Sequence, residues 1–235
     1  MILDMDDVVA SYGASQILFG VELHVNDAET VCLIGRNGVG KSTTLKTIMG
    51  VVKPNTGHIR FKGNPIGGLA PYRISRLGIA YVPQGRQIFP NLTTKENLLI
   101  AARKGDKAGS NWTLERIYEL FPVLKNRENF PGRSLSGGEQ QMLTIARGLM
   151  QNPTLLLMDE ICEGLSPIIV RELQDIILEL KNSGVAILLA EQNVKFALAV
   201  SERCYILEKG QVVYGGRTAE IPQGIILRYL GASAG

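Results

Sequence analysis

The sequence predicts an α/β protein with a helical segment let into its core. Three observations carry this. Short apolar runs recur along the 235 residues, several are apolar at every position, and longer helical patterns separate some of them. A run that is apolar throughout suits a parallel strand covered on both faces, and strands alternating with helices indicate α/β architecture.

The strand-like runs are 17–25, 30–34, 57–62, 78–82, 154–158, 185–190 and 203–207, with 212–214 closing a late hairpin across Glu208-Lys209-Gly210-Gln211. Their length and β-branched content favour strands. Helical patterns cover 41–51 and 167–182. The second carries Ile169, Leu173, Ile176, Ile177 and Leu180, the stripe of a helix lying on a sheet. Residues 85–152 differ, with helix-like segments at 94–103, 112–127 and 136–150 and breaks at 105–110 and 129–133. They read as a helical insertion between two core strands.

Net charge +3 is small and dispersed, which gives no support to nucleic-acid binding. Cys32, Cys162 and Cys204 lack metal-ligand spacing and sit in apolar stretches, so they read as small buried hydrophobes in a reducing compartment. The first residues lack the basic start and apolar run of a signal peptide. No stretch approaches the roughly 20 apolar residues of a membrane helix, so any membrane role must come through a partner.

Chemistry concentrates in three segments. Gly35-Arg36-Asn37-Gly38-Val39-Gly40-Lys41-Ser42 stands between a buried-strand pattern and a helix start. Its glycines let backbone N–H groups turn toward a polyanion, and the helix N-terminus adds partial positive charge. Lys41 in this pattern reaches the β- and γ-phosphates, and the Ser42 hydroxyl can ligate Mg²⁺. The expected ATP-binding set is Gly35, Asn37, Gly38, Gly40, Lys41, Ser42 and Thr43. The run 154–160 is an apolar strand ending in two acids, Asp159 to hold Mg²⁺ and Glu160 to orient or deprotonate the attacking water. About a hundred residues after Gly35 comes Leu135-Ser136-Gly137-Gly138-Glu139-Gln140. Ser136 followed three positions later by Glu139 is a helix cap, and the exposed N–H groups of such a helix start form another anion site.

Taken in order along essentially the whole chain, these segments resemble the ATP-binding cassette (ABC) ATPases. The resemblance implies a P-loop NTPase fold: a RecA-like core with an antiparallel β-subdomain in 1–84 and 153–235, and an inserted helical subdomain in 85–152 that carries the signature motif. It implies that Tyr12 stacks on adenine, and that Gln84 touches Mg²⁺ and the attacking water. Ser136, Gly137, Gly138 and Glu139 would bind the γ-phosphate held by an opposite subunit. Two cassettes would then sandwich two ATP molecules head to tail. Where many members have a histidine, this chain has Gln192, which can donate a hydrogen bond to a γ-phosphate but cannot shuttle a proton. The usual proline after Glu160 is replaced by Ile161, Cys162 follows, and Ser166 stands where an aspartate is common.

Other segments are more particular: Val82 to Thr93, Ser136 to Leu143, Glu163 to Pro167, Ala190-Glu191-Gln192-Asn193 and Arg228-Tyr229-Leu230-Gly231. These resemble the second ATPase of bacterial importers of hydrophobic, branched-chain amino acids. Importers of urea or short amides remain compatible, and soluble cassette ATPases of DNA repair or translation are a further class. The resemblance implies membrane permease subunits, a second and different ABC ATPase (a heterodimer, with a homodimer open to the chain in isolation) and, indirectly, an external substrate-binding protein. It places the chain peripherally on the cytoplasmic face of the membrane. Arg86, Ile88 and Phe89, beside Gln84, are the expected permease contacts.

Overall fold

The computed structural model describes residues 1–104 and 112–230. The break expected at 105–110 and the residues from 231 onward lie outside that range. In chain order the strands are β1 (Leu3–Tyr12), β2 (Ser15–Val25), β3 (Thr30–Ile34), β4 (Pro54–Phe61), β5 (Asn64–Pro65), β6 (Ile79–Val82), β7 (Leu155–Asp159), β8 (Ala186–Glu191), β9 (Arg203–Glu208) and β10 (Gln211–Arg217). The helices are α1 (Lys41–Ile48), α2 (Pro71–Arg76), α3 (Thr94–Ala101), α4 (Leu114–Leu120), α5 (Pro122–Asn126), α6 (Gly137–Leu149), α7 (Pro167–Asn182), α8 (Val194–Val200) and α9 (Gln223–Leu230).

One sheet is antiparallel, in the order β2-β1-β4-β5. The other runs β10-β9-β3-β8-β7-β6, parallel except for the hairpin partner β10. Strands β3, β7 and β8 are buried at every residue, as their unbroken apolar runs require. Alternate side chains serve different cores. Leu155, Leu157, Val31, Leu33 and Leu188 face a cluster shared with α1 and the antiparallel sheet. Leu156, Met158, Ile187 and Leu189 face α6, α7 and the helices of the insertion. Cys32 and Cys204, register partners on β3 and β9, lie buried with Ile34, Ala197 and Ile206. All three thiols are free and buried, as expected of small hydrophobes.

The structure departs from the sequence pattern in instructive places. Strand β1 carries no single alternation, because Leu3 and Met5 are buried on one phase and Val8 and Ala10 on the other. A register shift between Met5 and Val8, with Asp7 at φ 48°, flips the phase. The run 112–127, expected as one helix, is two. Pro122 supplies no N–H and keeps Phe121 out of helical geometry, at φ −126° and ψ 73°. Helix α1 stops three residues short of its expected end, and Gly50 follows at φ 72°. Among the described residues of 85–152 no strand joins a sheet; the nearest thing is an isolated bridge between Thr93 and Pro131. No helix among the described residues is long and apolar enough to cross a membrane.

Gly57 marks where β4 crosses that bulge. It sits at φ 85°, and a Cβ there would stand 2.2 Å from the Asp7 carbonyl oxygen. Gly57→Ala is therefore expected to lower stability by roughly 1–3 kcal/mol, combining left-handed strain with a backbone clash. Urea unfolding measures it, and an unchanged midpoint would contradict this account of the bulge.

Candidate nucleotide site

The site forms where four parallel strands end together. Ile34 pairs with Glu191, Ala190 with Asp159 and Met158 with Val82, so the loops leaving β3, β8, β7 and β6 meet along one edge. Ligands of open α/β sheets bind at such carboxyl edges.

The loop after β3 wraps tightly before α1. Gly38 and Gly40 adopt φ 80° and 111°, which side chains disfavour. Gly35 is glycine for space: a Cβ there would lie 2.5 Å from the Leu207 carbonyl oxygen. Gly40 precedes the first turn with no side-chain cap, so the N–H groups of that turn remain open to an anion. Lys41 is buried, and its ammonium donates to the carbonyls of Gly35 at 3.0 Å and Arg36 at 3.2 Å. Its ion-pair partner is Glu160, 3.1 Å away. Thr43 is buried on α1, with its carbonyl accepting from the Thr47 hydroxyl, and Asn37 is exposed at the loop tip.

The Ser42 hydroxyl donates to Asp159 Oδ1 at 2.8 Å, and the Tyr81 hydroxyl donates to Oδ2 at 2.9 Å. Burial holds the Asp159 carboxyl above its ordinary range, against these two hydrogen bonds, which favour the ionised form. Tyr81 is raised in turn, by burial first and by the neighbouring carboxylate second. A hydroxyl and a carboxylate in contact, both hard oxygen donors, fit Mg²⁺.

Glu160 follows β7 in the left-handed region, at φ 48°, with its N–H donating to the Ala190 carbonyl at 2.8 Å. That turn swings its carboxylate to Lys41 on one side and Gln84 on the other. Gln84 Nε2 donates to Glu160 at 3.1 Å and to Glu163 at 2.8 Å. Gln192 is exposed on the rim of a cavity of ≈ 350 Å³ that Glu160, Cys162, Glu163, Glu191 and Asn193 also line. Below it, buried Glu191 accepts from the backbone N–H of Cys162 at 3.1 Å and of Asn193 at 3.4 Å. Burial pushes its carboxyl up despite these bonds. Tyr12 is half-exposed at the end of β1.

The second glycine-rich segment lies elsewhere. Ser136 caps α6: its hydroxyl accepts from Glu139 N–H at 3.3 Å, and Glu139 accepts from Ser136 N–H at 2.7 Å. Partial burial pushes Glu139 up, but its bonds to Ser136 and to Arg127 hold it below the usual carboxylate range. Ser136 is exposed, Gly137 and Glu139 are half-buried, and Gly138 packs beneath against Ile169. Among the described residues, no hydrogen bond joins Ser136–Glu139 to Gly35–Thr43.

Thus Lys41, Glu160 and Gln84 form one bonded set and Ser42 and Asp159 an adjoining one, while among the described residues the Ser136 group is bonded to neither. Tyr81, Glu163 and Glu191 belong to the site and carried no expectation. A phenol interrupting the apolar run Ile79–Val82 was the one signal for Tyr81. Of the expected permease contacts, Phe89 is 44% exposed with the Arg147 guanidinium 4.6 Å from its ring centre. Ile88 packs on the core, and Arg86 turns inward to the carbonyls of Glu163 and Gly164.

Comparison with known proteins agrees with this geometry. Residues 18–163 match the family described as ABC transporter. The chain is 43% identical to the high-affinity branched-chain amino acid transport ATP-binding protein BraG of Pseudomonas aeruginosa, over 90% of this chain and 91% of that one. It is 38% identical to the probable branched-chain amino acid transport ATP-binding protein LivF of Archaeoglobus fulgidus, over 90% of each. It is also 35% identical to the lipopolysaccharide export system ATP-binding protein LptB of Haemophilus influenzae, over 94% and 92%. A solved ATP-binding subunit of an ABC transporter superposes with a TM-score of 0.83 at 30% identity, covering 99% of this chain and 96% of the other. The chain belongs to the ABC transporter family and is one of its ATP-hydrolysing cassettes.

Proposed function

We propose that this chain energises a bacterial importer of branched-chain or other hydrophobic amino acids, from the cytoplasmic face of the membrane, through nucleotide-driven closure of paired cassettes. The observation that carries the chemistry is the buried Lys41 ammonium, compensated by two carbonyls and Glu160. A buried cation beside open helix-start N–H groups calls for a polyanion, and a nucleotide triphosphate supplies one. The amino-acid cargo is supported by the two relatives named for branched-chain amino acid transport, which are more similar than the one named for lipopolysaccharide export.

In this reading Gly35, Asn37, Gly38, Gly40, Lys41, Ser42 and Thr43 hold the phosphates, and Tyr12 offers its exposed ring to adenine. Ser42 and Asp159 would hold Mg²⁺, with the Gln84 amide oxygen completing the set. The ion, when bound, neutralises charge on the phosphate oxygens. Glu160 orients the attacking water and accepts its proton. Lys41 holds that carboxylate before nucleotide arrives, so binding of phosphate competes for Lys41 and releases Glu160 toward the water. Gln192 senses the γ-phosphate without titrating. Gln84, bonded to both Glu160 and Glu163, passes the state of the site to residues 85–152, where Phe89 faces the permease. The Ser136 helix start completes the site of a second, different cassette, and an external binding protein delivers cargo to the permease.

Three measurements bear on this. Lys41→Ala should abolish binding of a fluorescent ATP analogue, leaving the Glu160 charge without its buried partner. Glu160→Gln should bind ATP normally and lower hydrolysis at least about a hundredfold, the scale of a lost general base; near-normal turnover would sink that role. In the transporter reconstituted with its permease and binding protein, leucine, isoleucine or valine should stimulate ATP hydrolysis. Stimulation by urea or acetamide, with none by these amino acids, would move the cargo to the amide class.

A further inference from the structure

We infer that Arg86 is a positioning residue. It fixes the loop that carries Glu163 and Gly164 against the first turn of α6, and so holds the Ser136 end of that helix in register with Glu160. The inference rests on the reading above, in which that helix end completes a partner's nucleotide site.

Arg86 follows Gly85 with both residues in the left-handed region, at φ 92° and 51°. For an arginine this conformation is strained and persists only where surrounding contacts over-determine it. The contacts are visible. Nη2 donates to the Glu163 carbonyl at 3.2 Å and to the Gly164 carbonyl at 3.2 Å. The guanidinium lies directly against Gly137, where a Cβ would fall 2.4 Å from Nη1 and 3.0 Å from Cζ. Gly164 lies close as well, its Cβ position 3.3 Å from Nη2. Two glycines therefore make the slot that a planar cation fills.

Few other polar contacts bridge this joint. Gln141, one turn after Gly137, lines the same cavity of ≈ 360 Å³ as Arg86, Glu160 and Glu163. Its buried Nε2 finds no hydrogen-bond partner among the described residues. Gly138 meets α7 through the apolar Ile169 side chain, a contact without directionality. Gln84 grips the Glu163 carboxylate, and Arg86 two positions later grips the Glu163 backbone. Residues 84 and 86 thus hold the loop by side chain and main chain together, and Arg86 alone of the two extends that hold to α6. A guanidinium can donate to both carbonyls from one nitrogen while the rest of its plane fills the space beside a glycine; a lysine ammonium can bridge the carbonyls but has no planar group to fill that space.

The test uses the assembled transporter carrying Arg86→Ala or Arg86→Lys in this chain. For both variants kcat for ATP should fall about tenfold or more, the scale of small misplacement at a reacting centre. KM for ATP should stay within about twofold, because the Lys41 loop is untouched. Recovery of kcat in Arg86→Lys would overturn the inference in favour of a simple charge effect. A KM rising in step with the loss would overturn it in favour of the chain's own phosphate site. A wild-type rate in Arg86→Ala would remove the inference alone, whereas a wild-type complex without ATPase activity would remove the functional reading and the inference with it. Should the alanine variant unfold, Arg86→Gln, which keeps length and one amide donor, must show the same kcat-only loss for the inference to stand.

Discussion

The in-phase ending of four parallel strands is the constraint on which everything else depends. Because β3, β8, β7 and β6 run level at their carboxyl ends, residues from distant stretches meet along one edge, Lys41 and Gln84 on Glu160 and Ser42 on Asp159. The strands beneath are dry on both faces, so their relative heights are fixed by close packing rather than by the polar groups they present. Placing the charged groups at this edge has an energetic consequence. The Lys41 ammonium is buried and tolerable only with Glu160 and two carbonyls around it. Such a pair is costly to break from one side, because the remaining charge is left uncompensated.

That cost gives the site a direction. In the proposed reading a bound polyphosphate competes with Glu160 for Lys41, and the Gln84 bond to Glu160 remains. The strained backbone at Glu160, φ 48°, keeps its carboxylate at the mouth whichever partner it has. Gln84 and Arg86 sit where the sheet hands over to the helical insertion, and both bond to the segment 163–164. From Glu160 a hydrogen-bonded chain thus runs through Gln84 to Glu163, and Arg86, bonded to the same segment, packs against Gly137 of α6. The two glycine-rich segments stand on separate elements, one before α1 and one at the start of α6, with this linkage between them.

How far the fold could be read from sequence depended on whether its signals were local. The loop before α1 was legible because positive φ at Gly38 and Gly40 is a property of individual residues, and β7 and β8 because burial on both faces leaves an unbroken apolar run. The capping box at Ser136 and Glu139 was legible for the same reason. Strand β1 was not, since the bulge at Asp6–Asp7 reverses the alternation that announces a strand. Helices α4 and α5 were merged because their apolar period runs on through Phe121 while Pro122 breaks the backbone. Tyr81 and Glu191 were passed over: each is one polar residue in an apolar strand, given work only by its contacts, Tyr81 by Asp159 on the next strand and Glu191 by the N–H groups of Cys162 and Asn193.

The sequence by itself determined the phosphate loop, the paired acids at the end of β7, the alternation of strands and helices, and the family those motifs resemble. Each is encoded by residues close together in the chain. Only the tertiary structure decided that Glu160 grips Lys41, that Tyr81 shares Asp159 with Ser42, and that Arg86 bonds to Glu163 and Gly164 and packs against Gly137. Those contacts depend on strand register and on the space two glycines leave. Neither quantity is carried by a short stretch of chain; both come from how the sheets and helices pack.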